Sequence, residues 1–316
     1  MNIDTKLFNW IGGKKWMSST LSEKCDHLLN NDIKYYIEPF CGSLGSVMGS
    51  IEVFKKHKVE KIILNDINTS LINTYLSVKN HPQELFELLK DLENRHIATI
   101  PEVCFSMKQT KHKATIKPMM QPSNEFYLSI RKHFNEIKSS SKEEDKLLSS
   151  AQFLYIMHRC FNGIYRENQS GLNNSPYGWC PKKMNLENKF QTIMEFNKFF
   201  NDMNVEFYNM GFDDFLNSIQ GIKSESLFYF DPPYLNDKIK ENSYSKGGFG
   251  IKDQEKLLDH IKNIKYIMYS NHDLELFKDF FNTDEYDTMT LYRKNNISSD
   301  NSTRKNDVAE ILAFTK

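Results

Sequence analysis

The 316-residue chain has no apolar run approaching the length of a membrane span, and no basic n-region followed by an apolar h-region. The expectation is a protein that stays where it is made, in the cytoplasm. Its five cysteines, Cys25, Cys41, Cys104, Cys160 and Cys180, are odd in number and stand at no metal-ligand spacing. They read as reduced thiols, and with nine dispersed histidines they leave no zinc or magnesium motif, so no metal is expected. Net charge is also missing: 41 Lys and Arg balance 41 Asp and Glu, which argues against a protein coated in basic surface. No internal repeat is visible. The glycine spacing after the first strand differs from G-x-G-x-x-G, which disfavours a hydride-transfer enzyme.

A hydrophobic content of 39% and a charged content of 26% are those of a soluble globular protein with ample core. The charge is uneven. Between Arg95 and Lys189 there are 15 Lys and Arg against 8 Asp and Glu. A basic middle in a neutral chain fits a polyanion bound by one part of the molecule, and a solvated lysine-rich face is the alternative reading of that excess.

The strongest local signal is Leu227 to Tyr234, L-F-Y-F-D-P-P-Y. An unbroken apolar run into Asp231 predicts a strand buried on both faces of a parallel sheet. Two prolines stop it, leaving the Asp231 carboxylate at the carboxyl end, where open α/β sheets bind ligands. This arrangement suits methylation of an exocyclic amine on a base. Asp231 can accept one N–H and the Pro232 carbonyl the other, concentrating charge on nitrogen as it attacks. Tyr234, beyond Pro233, offers a face for a base pulled from its stack. An ordinary turn after a strand is the competing reading.

Near the start, F-N-W-I-G-G-K-K places Trp10, Gly12, Gly13 and Lys14 on one loop able to approach a ligand. The stretch Y-Y-I-E-P-F-C-G-S-L-G-S predicts a strand ending at Glu38 and a turn built by Pro39, Gly42 and Gly45, with Phe40 and Ser43 within it, into a helix near Ser46. A second short strand, K-I-I-L-N-D-I-N, ends at Asp66 and Ile67, and an acid at that place usually accepts ribose hydroxyls. Together they form a candidate nucleoside site, with a structural turn aspartate as the alternative.

From Thr69 to Phe200 the pattern is mostly helical, with helices expected over Leu71 to Val78, Gln83 to Leu92, Asn124 to Ile137 and Lys146 to Cys160. Ile97 to Ser123, broken by Pro101, Pro118 and Pro122, reads as an exposed loop or insertion. Phe161 to Gly178, rich in Asn, Gly and aromatics, reads as a hairpin or loop. Arg166 there suits a bidentate grip on guanine, and Asn162 and Ile164 offer polar and apolar contacts to base edges. A purely structural turn fits the same composition. After Phe200 the α/β pattern returns, with strands near Asn204 to Asn209 and Tyr266 to Ser270, a Gly-bearing loop over Tyr244 to Phe249, and a closing antiparallel hairpin of Thr288 to Arg293 with Ala309 to Phe314.

Seven motifs in order, W-I-G-G-K, E-P-F-C-G-S-L-G-S, N-D-I-N, F-N-G-I-Y-R-E-N with S-P-Y-G, D-P-P-Y, S-N-H-D, and I-S-S with T-R-K, resemble the Dam-type adenine-N6 DNA methyltransferases (D12 class, alpha group) over nearly the whole chain. The resemblance implies an α/β, Rossmann-like sheet of seven strands that binds S-adenosyl-L-methionine, with an inserted, mainly helical target-recognition domain. The catalytic domain is expected over residues 1–75 and 190–316, the recognition domain over 76–189. Trp10, Lys14, Asp66 and Asp231 look like the donor-binding set, and Asp231, Pro232, Pro233 and Tyr234 the catalytic loop. Asn162, Ile164, Arg166 and Pro176 fall where relatives that recognise G-A-T-C contact bases. Phe161 resembles a wedge into the stack, and Asn168, Tyr177 and Arg304 join the expected DNA-binding set. Asn9 stands where several relatives place a lysine directed at DNA. The partner implied is duplex DNA, with a cognate restriction endonuclease in the same cell but without stable contact. Methylation of RNA or of a protein amide, and a catalytically silent DNA-binding module, are the competing functions.

Overall fold

The computed structural model describes residues 6–10, 12–30, 32–107, 115–235, 241–242, 248–294 and 307–316. Arg304 and most of the loop expected over Tyr244 to Phe249 lie outside the described residues.

Short runs of β-branched and aromatic residues form the strands. They are β1 (Tyr35–Glu38), β2 (Lys61–Asn65), β3 (Val205–Tyr208), β4 (Ser226–Phe230), β5 (Glu241–Asn242), β6 (Phe249–Gly250), β7 (Tyr266–His272), β8 (Tyr286–Lys294) and β9 (Asp307–Thr315). Seven make one sheet in the order β3-β2-β1-β4-β7-β9-β8, and β5 and β6 pair as a separate ribbon. The first five run parallel, while β9 pairs antiparallel with both β7 and β8. This is a mixed α/β fold with a mostly parallel seven-stranded sheet, as expected from the sequence.

Every residue of β4 is buried, because the strand lies between β1 and β7 with both faces covered. Phe228 and Phe230 face a core with Phe215, Leu257, Ile261 and Phe277 from the helices Phe212–Ser218, Ile251–Ile261 and Glu275–Phe281. On the other face Tyr36 of β1 packs on Phe54, and Cys25 of the helix Ser18–Leu28 lies 4.0 Å from Met268 of β7. The chain leaves β1 toward β2 on one side and finds β4 on the other. The carboxyl ends of β1 and β4, where Glu38 and Asp231 stand, are therefore the switch point of the sheet, the place where open α/β sheets bind ligands.

Two compact units divide the chain at different points from those expected. The sheet unit holds residues 14–67 and 203–316; the helical unit holds 1–13 and 68–202. The helix Thr69–Asn80 goes with the helical unit because Leu71, Ile72, Tyr75 and Val78 are buried against helices of that unit. The helix Leu186–Asp202 follows for the same reason, through Ile193, Phe196 and Phe200. At the centre of this unit lies Glu143–Arg159, buried without a break from Ser149 to Met157. It packs on Thr69–Asn80, Pro82–Ala98 and Gln121–Ile137.

The stretch from Ile97 to Ser123 is not the exposed loop expected from its prolines. The helix Pro82–Ala98 extends into it, Val103–Ser106 and residues 115–119 are helical, and Ile100, Cys104, Ile116 and Met120 are buried. Pro122 sits in the first turn of Gln121–Ile137, where a missing N–H costs nothing, so it starts a helix here rather than breaking one. Residues 108–114 lie outside the described part.

Candidate active site

Pro232 ends β4 and holds Asp231 extended, so its carboxyl group emerges at the strand's end, 19% exposed. Lys14 Nζ approaches Asp231 Oδ1 at 3.1 Å, and Ser270 Oγ of β7 donates to the same oxygen at 3.1 Å. Tyr229 hydrogen-bonds Ser270 at 2.8 Å, fixing that hydroxyl from beneath. Among the described residues nothing engages Asp231 Oδ2, and the Pro232 carbonyl accepts no hydrogen bond. The next carbonyl, of Pro233, is held by Gln254 Nε2 at 2.9 Å, which pins the loop in place. Two acceptors on adjacent residues thus follow the end of β4.

Tyr234 is half-buried. Its ring meets His272 edge-on at 4.9 Å, and its hydroxyl donates to Glu310 Oε2 at 2.8 Å. Lys14 also donates to the Tyr234 hydroxyl, and lies 3.2 Å from Glu310 Oε2. Burial pushes the Asp231 carboxyl above the usual carboxylate range; Lys14 and Ser270 oppose the shift and Glu310 adds to it. Burial likewise drives the Tyr234 phenol well above its usual range, with Asp231 and Glu310 adding repulsion.

The second cluster stands where β1 and β2 end. Gly42, at φ 44°, turns the chain so that its N–H donates to Asp66 Oδ2 at 3.1 Å. Phe40 is half-buried between Phe212 and Phe249, each 5.7 Å away, Ser43 is half-buried, and Ile67 is 60% exposed. A Cβ on Gly45 would stand 3.1 Å from the backbone nitrogens of Lys14 and Lys15, so glycine allows that segment to close on the turn. Glu38 has a different place from that expected of an open ligand contact. It is 1% exposed and accepts from Tyr36 and Ser46 hydroxyls at 2.6 Å each. Burial pushes its carboxyl up to about 8, so it braces the turn from below. Pro39 is buried, its carbonyl held by Asn65 Nδ2 at 3.0 Å.

Trp10 belongs to the helical unit, with Gly12 and Gly13, and its ring packs with Phe8, Phe153 and Tyr165. The structure thus groups Lys14 with Asp231 and Tyr234, and Asp66 with Gly42, but places Trp10 among aromatic residues of the helical unit.

The hairpin expected over Phe161 to Gly178 forms in that unit. Phe161 N–H bonds the Pro176 carbonyl at 2.8 Å, and Glu167 bridges Asn173. The helix Gln121–Ile137 holds it through Tyr127 and Arg131, both on the Ser175 carbonyl, and Asn135, which pairs with the Asn173 backbone in both directions. Phe161, Asn162, Arg166 and Pro176 are exposed at the hairpin surface, and Ile164 is half-exposed. Asn162 adopts φ 57°, and Gly163 abuts the Asn9 side chain. Two expected DNA contacts are otherwise employed. Tyr177 is 4% exposed and bonded to His96 and Ser123, because its ring completes an aromatic core with Tyr127. Asn168, though exposed, spends its side-chain oxygen on the backbone N–H groups of Ser170 and Leu172, stabilising the turn.

Two participants carried no local signal. Glu310 and Gln254 lie inside a strand and a helix with ordinary patterning, and only the tertiary fold brings them to Asp231 and the loop after it. Among the described residues no group of His, Cys, Asp or Glu is arranged to hold a metal ion, and no helix is long and apolar enough to cross a membrane.

The family model for D12 class N6 adenine-specific DNA methyltransferases matches residues 10–299. The type II methyltransferase M.MjaIII of Methanocaldococcus jannaschii is 28% identical, with 96% of each chain covered. DNA adenine methylase of Vibrio cholerae is 27% identical over 96% of this chain and 94% of its own. That of Escherichia coli K12 is 26% identical over 100% and 97%. The match spans nearly the whole chain, and the chain belongs to the D12 class N6 adenine-specific DNA methyltransferases, enzymes that methylate adenine in DNA.

Proposed function

We propose that the chain transfers the methyl group of S-adenosyl-L-methionine to the exocyclic amine of an adenine flipped out of duplex DNA, at a short site for which G-A-T-C is the candidate. The observation that carries this reading is the pair of acceptors on adjacent residues after β4, Asp231 Oδ2 and the Pro232 carbonyl, both without a donor among the described residues.

The residues at the ends of β1 and β2 fit a nucleoside. The glycine-bearing turn brings backbone close, Asp66 would accept ribose hydroxyls, and Phe40 and Ile67 would cover a base. When bound, the sulfonium supplies an electrophilic methyl group. The protein's task is to position and polarise the acceptor. An adenine amine is a weak nucleophile because its lone pair is delocalised into the ring. Accepting both its N–H groups at Asp231 and Pro232 draws density onto nitrogen and stabilises the positive charge that grows there during attack. Tyr234 is held by Glu310 and Lys14, so its ring offers a fixed face for the extruded base. In this reading the sheet unit carries the chemistry and the helical unit reads DNA, in the cytoplasm and beside a restriction endonuclease where one is present.

Incubation of the purified protein with methyl-labelled S-adenosyl-L-methionine and duplex DNA, RNA or protein tests the proposal. Label is expected in DNA alone, as N6-methyladenine. Mapping that base at single-nucleotide resolution after expression in a methylation-free host should return one short motif. Label in RNA or protein instead of DNA would overturn the substrate, and a motif other than G-A-T-C would overturn the site.

Within the hairpin, Arg166 is the exposed cation whose planar fork matches the guanine major-groove edge. Arg166→Ala is expected to cost about 1–3 kcal/mol of discrimination at one base pair. Competition between cognate and singly substituted duplexes measures this directly, and an unchanged preference at every position would remove Arg166 from the reading set.

A further inference from the structure

We propose that Glu310 is a positioning residue that takes up Lys14 when the acceptor amine reaches Asp231, an inference resting on the function proposed above. Glu310 lies on β9, in register with His272 of β7 and Leu291 of β8, and is 1% exposed. A carboxylate so deep survives only with cationic partners. It has two: Lys14 Nζ at 3.2 Å from Oε2, and Arg293 Nε at 3.1 Å from Oε1. Lys14 is itself 4% exposed, and its ammonium stands at almost equal distances from Glu310 and Asp231. Lys14, buried, and Arg293, partly exposed, thus face two carboxylates in a neutral set in which one cation is shared.

The sharing matters for the chemistry. An ammonium paired to Asp231 withdraws the charge that the amine's N–H must find there, and its field opposes the positive charge growing on nitrogen. With Glu310 beside it, Lys14 can shift its pairing without crossing a gap or losing its counter-charge. Glu310 also accepts from the Tyr234 hydroxyl, so the same oxygen sets the ring against which the base would rest. Without the Glu310 charge, Lys14 is left with Asp231 as its counter-ion.

Glu310→Gln retains an acceptor for Tyr234 and removes the charge. The expected result is a single-turnover methyl-transfer rate lowered at least about tenfold, with duplex DNA affinity changed less than about threefold. The distinguishing measurement is a double-mutant cycle with Lys14→Met. If Glu310 acts through Lys14, Glu310→Gln should slow the Lys14→Met enzyme little or not at all. A merely structural role would give independent, multiplicative losses, and that result, or a Glu310→Gln enzyme as fast as wild type, would overturn the proposal. Should Glu310→Gln fail to fold, Glu310→Asp, which keeps the charge on a shorter arm, is expected to slow transfer in the wild-type background but not in Lys14→Met. Failure of the wild-type protein to methylate DNA would instead strike the function proposed above, leaving the two ideas separately testable.

Discussion

Asp231→Ala is expected to lower the single-turnover methyl-transfer rate by at least about 10³-fold, since one preorganised electrostatic contact alone is worth about 10²–10³. The variant loses the acceptor for one amine N–H and a negative charge beside the nitrogen that becomes positive. Duplex affinity should change little, because the hairpin residues proposed to read DNA lie elsewhere in the chain. The stability outcome separates catalysis from architecture. Burial raises the Asp231 carboxyl above its unfolded-state range, so its ionised form is disfavoured by the fold at neutral pH. Removing it should leave the melting temperature unchanged or higher, with activity gone, as when a site is maintained at the expense of stability. Asp231→Asn refines the result: it preserves shape and one acceptor but carries no charge, and is expected to recover only a small part of the rate. Transfer by Asp231→Ala at the wild-type rate would end the case for this carboxylate as the group that polarises the amine.

Why this residue was visible in the sequence, and Glu310 was not, is a matter of range. L-F-Y-F-D-P-P-Y declares its own geometry within eight residues: an unbroken apolar run needs both faces covered, and two prolines must end it. β4 is buried at all five positions and stops at Phe230 for those reasons. The turn after Glu38 and the acid at Asp66 are local in the same sense. Glu310, by contrast, sits in a run that reads as an ordinary strand. It reaches Lys14 across 296 positions because β9 turns back against β7 in one particular register. Nothing nearby in sequence encodes that register. Tyr177 joined the expected DNA-binding set through the resemblance alone, and its burial was not legible locally: its ring and hydroxyl are satisfied by Tyr127, His96 and Ser123, which lie in helices up to 81 positions away. The prolines between Ile97 and Ser123 misled because a proline opens a helix as readily as it ends one, and the apolar residues around them set which happened.

Glu93→Ala is expected to destabilise the helical unit by about 3–5 kcal/mol, the cost of leaving one member of a buried ion pair alone. Arg159 Nη2 donates to both Glu93 oxygens, and the two side chains are each 2% exposed. The same carboxylate accepts the Met184 N–H at 2.8 Å, while Arg159 Nη1 reaches the Lys182 carbonyl at 2.7 Å. One pair therefore ties the helix Pro82–Ala98 to the end of Glu143–Arg159 and to the irregular segment after the hairpin. Its position gives the loss a functional consequence. Arg159 is the last residue of its helix, one residue short of the hairpin, and its carbonyl accepts from the Gly178 N–H at the hairpin's other end. With the Arg159 charge unpaired, the two ends of the hairpin lose their common anchor before Asp231 or Lys14 is touched. Urea unfolding of Glu93→Ala should show the loss, and site preference in competition assays should blur in parallel. Glu93→Gln, which keeps an acceptor for Met184 but not the charge, should lie between the two. A Glu93→Ala protein as stable as wild type would mean that water or rearrangement satisfies Arg159, and the pair would then be a passenger in the core, with no part in holding the hairpin.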